Sequence, residues 1–364
     1  MSKLSIANRS AVAAVHHPLR MSTSPNHLSL EVVDRILKLV QGADLAKCSY
    51  VSKAFAQIVE PLLYNDISLV LSRSSASASR VLFSSLASSA ARRSRVKTLT
   101  VIAVGGRPPY DFAIPRLSFP NLHTLVLKAR RTEDTCWFND EPTVIAFCAA
   151  LLLQPTLRRW ATSCLDSLPA RFLFLPQHLT ELTLDRTCVL SDEEDFDIIP
   201  RWVSLHRLQV SNSFFDTDCH PFLLKNPSQV VVSTLSNVEF HFAGFDMVTD
   251  LRDLLPSCGS SLRRLVIRIT GRICATGLDL ETLDLGALMV IETVLLVFDR
   301  WPNITAITTM LNTLPTPSLL TQMTLTTAHM WNTEDWRSGD HFGLVASGMQ
   351  ESGDEQERLR ILID

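Results

Sequence analysis

Charge is scarce and nearly balanced in this chain. Only 20% of its 364 residues are charged, with 34 basic against 37 acidic, and the formal net charge is -3. Binding to a nucleic-acid duplex needs a concentrated basic stripe. Here the lysines and arginines are scattered, so nucleic acid is not expected as the main ligand. Long apolar runs are missing as well. The longest runs only from Val144 to Leu153 before Gln154-Pro155, half of the ~20 that a membrane-spanning helix requires. No transmembrane segment and no membrane partner are expected.

Metal and catalytic signatures are also lacking. The eight cysteines, Cys48, Cys136, Cys148, Cys164, Cys188, Cys219, Cys258 and Cys274, include no Cys-x-x-Cys pair. Several sit in apolar patterns, which suits thiols acting as small hydrophobes in a reducing compartment and points to a cytoplasmic or nuclear location. There is no nucleophile elbow, Walker loop, dinucleotide fingerprint or His-Glu-x-x-His. The ten histidines are dispersed apart from His16-His17, and Cys219-His220 has no second ligand pair at zinc spacing. The acidic run Ser191 to Asp197 lacks the glycine and the distal glutamate of a calcium loop and reads as a solvated connection. No metal, no cofactor and no catalytic residues are expected.

What the chain does have is aliphatic surface, since hydrophobic residues make up 46% of it. That content and this length suit two or three folded domains or one long repeat array. One pattern recurs: an apolar residue, two variable ones, an apolar residue, one variable, another apolar. It begins at Val96, Leu122, Leu157, Leu179, Leu205, Leu235, Leu262, Ile291 and Leu320, and in the copy at Leu157 the second and third places are held by Trp160 and Thr162. Most of the intervals between these starts are close to the period of leucine-rich repeats, roughly 20 to 29 residues. Each unit then opens with a short strand whose alternate residues point inward, and the chain returns to lay the next strand alongside. Return helices are predicted at 143–153, 247–255 and 303–314 from apolar residues at three- and four-residue spacing.

The fold expected is α/β, with an irregular leucine-rich-repeat-like solenoid and a curved parallel sheet over residues 95–336. The variable strand positions would form its concave face: Lys128, Arg159, Glu181, Asp185, Arg207, Gln209, Glu239, His241, Arg264 and Arg268. Such a face reads a protein partner, and mixed charge leaves the target class open. The aromatic cluster holding Trp331 and Trp336 is either a recognition loop or a cap on the open end of the solenoid. Residues 337–364 are assigned as cap or tail.

Residues 27–64 read as three short helices. Ser29 caps the first, which runs to about Val40 and stops at Gly42. Asp44 caps the second and Ser52 the third, which Pro61 ends. So short a segment cannot bury that much apolar surface unaided, so either the repeat array or another protein must cover the remainder. Residues 65–94 are assigned as a serine-rich linker with a helix presenting Val81, Leu82 and Leu86 on one face. Residues 1–26 read as a disordered tail, although the stretch from Met1 to Leu30 contains no acid and resembles a mitochondrial presequence. Met1 and Met21 both remain candidate starts.

The stretches "LSLEVVDRIL" and "DLAKCSYVSKAF" resemble the F-box, with Ser29 where that family usually has proline. The continuation "VEPLLYNDISL" is similar to the way fungal F-box proteins, those of mushrooms especially, enter their first strand. The resemblance covers Leu28 to Leu69 and implies docking on the Skp adaptor, and through it the cullin, of an SCF-type ubiquitin ligase. It places Leu28, Leu30, Glu31, Val32, Ile36, Leu37, Leu45, Cys48, Val51, Ser52 and Phe55 on the adaptor-facing surface or its support. The chain would be a non-catalytic substrate-recognition subunit. The alternative is a scaffold that keeps an F-box-like fold without ligase duty.

Overall fold

The computed structural model of the chain describes residues 30–40, 42–71, 76–104, 117–130, 142–165, 168–190, 205–211, 214–215, 234–242, 247–269, 280–298, 304–315, 319–327 and 357–361. The tail 1–26, Leu28, the acidic run 191–197, Cys219-His220 and the Trp331/Trp336 cluster lie outside the described residues.

Three helices open the described chain: α1 (Leu30–Leu39), α2 (Gly42–Cys48) and α3 (Lys53–Asn65). Ser52 caps α3 as expected, its extended backbone letting Oγ accept the Phe55 N–H at 3.2 Å, an arrangement worth about 1 kcal/mol. Two expectations are corrected. Helix α2 begins at Gly42, before Asp44, whose carboxylate instead takes Lys47 Nζ at 2.7 Å. Pro61 does not end α3. Its missing N–H removes one backbone bond, yet the helix runs on to Asn65 and strand β1 (Asp66–Leu71) starts at the next residue.

The remaining strands are β2 (Thr98–Val104), β3 (Thr124–Arg130), β4 (Arg159–Ser163), β5 (Leu168–Pro169), β6 (Glu181–Asp185), β7 (Cys188–Leu190), β8 (Arg207–Ser211), β9 (Phe214–Phe215), β10 (Asn237–Phe242), β11 (Arg264–Ile269), β12 (Thr293–Phe298), β13 (Gln322–Thr327) and β14 (Glu357–Ile361). Eleven form one sheet, ordered β1-β2-β3-β4-β6-β8-β10-β11-β12-β13-β14. Every pairing in it is parallel except the last, β13 with β14.

The register reproduces the sequence repeat. Leu99, Leu125, Trp160, Leu182, Leu208, Val238, Leu265, Val294 and Met323 stand in one row across the sheet. The third-place residues, Val101 through Leu325, form a second row, and both rows are buried together with all nine opening residues. Each fully buried aliphatic side chain contributes about 1.5–3 kcal/mol. The copy at Leu157 is degraded physically too. Trp160 is buried with no partner for its Nε1 among the described residues, and Thr162 meets Thr187 hydroxyl to hydroxyl at 2.9 Å.

The array starts earlier than the sequence pattern places it. In β1, Ile67 and Leu69 align with Leu99 and Val101, so residues 64, 67 and 69 make a tenth unit whose opening position is Tyr64. The stretch assigned as linker therefore contributes the edge strand. Its helix α4 (Ala76–Ala87) buries Ser79, Phe83 and Leu86 rather than Val81, which is 55% exposed. Phe83 meets Phe147 edge-on, with ring centroids 5.8 Å apart.

Adjacent units are tied just ahead of each strand. The carbonyls of Lys97, His123, Arg158, Thr180, His206, Ser236, Arg263 and Glu292 each accept two backbone N–H groups from the following unit, at 2.7–3.1 Å. Hydroxyls reinforce this ladder: Thr156, Thr234 and Ser261 donate to the carbonyls of Leu122, Leu205 and Leu235 at 2.8–2.9 Å.

The returns differ along the array. Helices α5 (Ala90–Arg93), α6 (Pro142–Leu152), α7 (Met247–Cys258) and α8 (Ile304–Asn312) serve the outer units, α6 to α8 close to their predicted bounds. In the middle, β5, β7 and β9 return extended and form a second parallel sheet. The shortest interval of the sequence pattern, from Leu157 to Leu179, lies here, its return made of β5 and the short 3-10 helix Ala170–Phe174. Cys164 (φ 58°) and Arg186 (φ 46°) turn the chain out of β4 and β6 in the left-handed region, and their N–H groups donate to Asp185 and Ser211 carbonyls. The architecture is thus a mixed α/β solenoid of leucine-rich-repeat-like form on a large parallel sheet.

Candidate functional site

Two surfaces stand out. The first lies on the N-terminal helices. Leu37, Leu45 and Val59 form a small separate core, with Val33, Val40, Cys48, Phe55, Ile58, Leu62 and Leu63 packed around it. Helix α1 is apolar on two stripes. Val33, Leu37 and Val40 face this core, whereas Val32, Ile36 and Leu39, also spaced by four and three residues, are 41%, 47% and 86% exposed. Tyr50 and Val51, in the turn after α2, are each 70% exposed.

Among the residues predicted to face an adaptor, the structure therefore separates two roles. Val32, Ile36 and Val51 are on the surface, while Leu37 and Leu45 are interior. Cys48 and Phe55 are half-buried against the small core, and Ser52 is exposed but engaged as a helix cap. Leu30 and Glu31 fall in α1's first turn. Sequence reasoning misses Leu39 and Tyr50. The recurrence of Leu39 two helical turns after Val32 is the signal that could have found it.

Helix α3 carries this module onto the array. Glu60 accepts from Arg92 Nε at 3.1 Å and lies 3.3 Å from Arg95 Nη1. Arg92 also donates to Ser85 Oγ at 2.7 Å and covers the Tyr64 ring, 5.3 Å from its centroid, and the Tyr64 hydroxyl lies 3.0 Å from Ser85 Oγ. The Arg92 hydrogen bond, aided by Arg95 and opposed by partial burial, holds the Glu60 carboxyl below its usual range.

The second surface is the solvent face of the main sheet. All ten residues predicted for the target-reading face lie on it. Arg159, Glu181, Arg207 and Arg264 share one row, Gln209 and Glu239 the next, and Lys128, Asp185, His241 and Arg268 the third. The charges form cross-strand pairs: Arg159 with Glu181 at 3.0 Å, and Glu239 with Arg268 at 3.0 Å and Arg207 at 3.8 Å. Ser163 donates to Asp185 at 2.8 Å, and Ser211 Oγ lies 3.1 Å from His241 Nδ1. On β12 the outward residues are Thr293, Leu295 and Val297. Among the described residues, no group of three or more His, Cys, Asp or Glu side chains gathers as a metal site, and no helix is long and apolar enough to cross a membrane.

No family model matches the chain, and no curated protein matches it. Among solved structures it is similar to an internalin from Listeria monocytogenes, at 12% identity and a TM-score of 0.32. That likeness covers 62% of this chain and spans 56% of the internalin chain. The repeat assignment stands on the strand register of this chain itself.

Proposed function

We propose that this chain is the substrate-recognition subunit of an SCF-type cullin-RING ubiquitin ligase. Its N-terminal helices act as an F-box that docks on the Skp adaptor, and the solvent face of the repeat sheet holds a target protein. The observation that carries the reading is the second apolar stripe of α1, Val32, Ile36 and Leu39, left exposed beside Tyr50 and Val51 on a module that already has its own core. An exposed apolar surface of this kind marks a protein contact, and it coincides with the residues that carry the F-box resemblance. The chain breaks no bond itself. It raises the effective concentration of a target near the ubiquitin-loaded enzyme.

The test is capture of purified Skp adaptor by the full chain, comparing wild type with Ile36→Asp and Val51→Asp. Both side chains are exposed, so the variants keep the fold, and each should lose adaptor binding. Folded wild-type protein that captures no adaptor would sink the ligase reading and leave an F-box-like scaffold.

A further inference from the structure

Charge on the solvent face of the sheet is sorted along the array. On β3 to β6 the outward Lys128 and Arg159 stand with the two carboxylates Glu181 and Asp185: Arg159 is answered by Glu181, and Asp185 lies 3.6 Å from Arg186. From β8 to β13 the outward positions carry three arginines, Arg207, Arg264 and Arg268, and one carboxylate, Glu239, which already engages two of them. Arg264 is exposed, and no carboxylate among the described residues pairs with it. It and Arg268 flank Val266 along β11, and Val266, itself buried, aligns across the sheet with Leu295 of β12. Beyond β11 the outward residues of β12 and β13 are uncharged.

We propose that the exposed Arg264, with the half-buried Arg268, Leu295 and Val297, docks an extended acidic-apolar peptide segment of the target. A carboxylate of the peptide would pair with Arg264, and its apolar side chains would lie over Leu295 and Val297. The surplus of guanidinium over carboxylate selects an anionic occupant. The adjoining uncharged strands supply the apolar contact without a competing charge. This deepens the reading of the sheet as the target-binding face and rests on it. Adaptor capture reports only on the N-terminal helices, so the two can fail separately.

The test measures binding of biotinylated peptides to the full chain at low and physiological salt. The probes are Gly-Glu-Val-Glu-Leu-Glu-Gly, the same peptide with lysine for glutamate, and the same with serine for valine and leucine. The acidic-apolar peptide should bind about fivefold tighter than either other and weaken as salt rises. Arg264→Ala should weaken it about three- to fivefold, the loss of one half-exposed pair, while Lys53→Ala, exposed on α3 away from the sheet face, should change it by less than about twofold. A thermal melt confirms that both variants remain folded. The proposal is overturned if the lysine or serine peptide binds equally, if Arg264→Ala matches Lys53→Ala, or if the acidic-apolar peptide does not bind.

Discussion

Cys148 and Cys258 sit on two of the return helices and are sealed in the main core. Burial pushes the pKa of each thiol up to about 12, because a thiolate there would lose its water without gaining a cation. In the unfolded chain the same thiols ionise near 9.0. The folded state therefore keeps this contribution below pH 9 and loses it as pH rises from 9 through 12. We expect both thiols to resist a disulfide reagent at pH 8 until denaturant opens the array, and the urea midpoint to fall steadily above pH 9. Rapid labelling in the folded protein would contradict their burial. Single residues also explain what the sequence conceals. The tenth unit is hidden because Tyr64 holds the place that leucine, valine or isoleucine holds in the others. That tyrosine serves two elements, and an aromatic at the end of a helix gives no sign of opening a strand repeat.

Helix α3 joins the two halves of the molecule, and its join is polar where the flanking cores are apolar. The Glu60 carboxylate, Arg92, Arg95, Tyr64 and Ser85 fix the helical module against α4 and α5. With Glu60 held below 4.5, the stability it lends is present above that pH and is lost as pH falls through its depressed folded value. Glu60→Gln should flatten the acid limb of the stability profile between pH 6 and 3 while costing only roughly 0.2–1 kcal/mol at neutral pH, since the pair is half-exposed. An acid limb unchanged by the substitution would show that the junction draws nothing from this charge. Elements are legible where periodicity is strong. The nine strands and three return helices follow from the spacing of their leucines. The extended returns β5, β7 and β9 are very short and carry no periodicity to read. Pro61 misleads for a different reason, because neighbouring packing holds the helix through a missing backbone bond.

At the scale of the whole molecule, the position of β1 changes where the protein can be cut. A chain beginning at residue 95, where the sequence pattern alone places the start of the repeats, would strip β1 and α4 from the sheet. It would bare the edge of β2 and the buried Leu99 and Val101 beside it. We expect that truncation to be insoluble or to lose its cooperative melt, whereas a chain beginning at Ser52 keeps the capped α3 and the edge strand and should melt as one unit. Equal behaviour of the two would show that β1 is dispensable. The ladder of carbonyls ahead of the strands also has a direction. Each carbonyl waits for two amides that lie later in the chain, never earlier, so every completed unit is a finished template for the next. During synthesis on the ribosome the array can grow as it emerges, seeded by α3 and β1 and terminated when β14 arrives from the opposite direction.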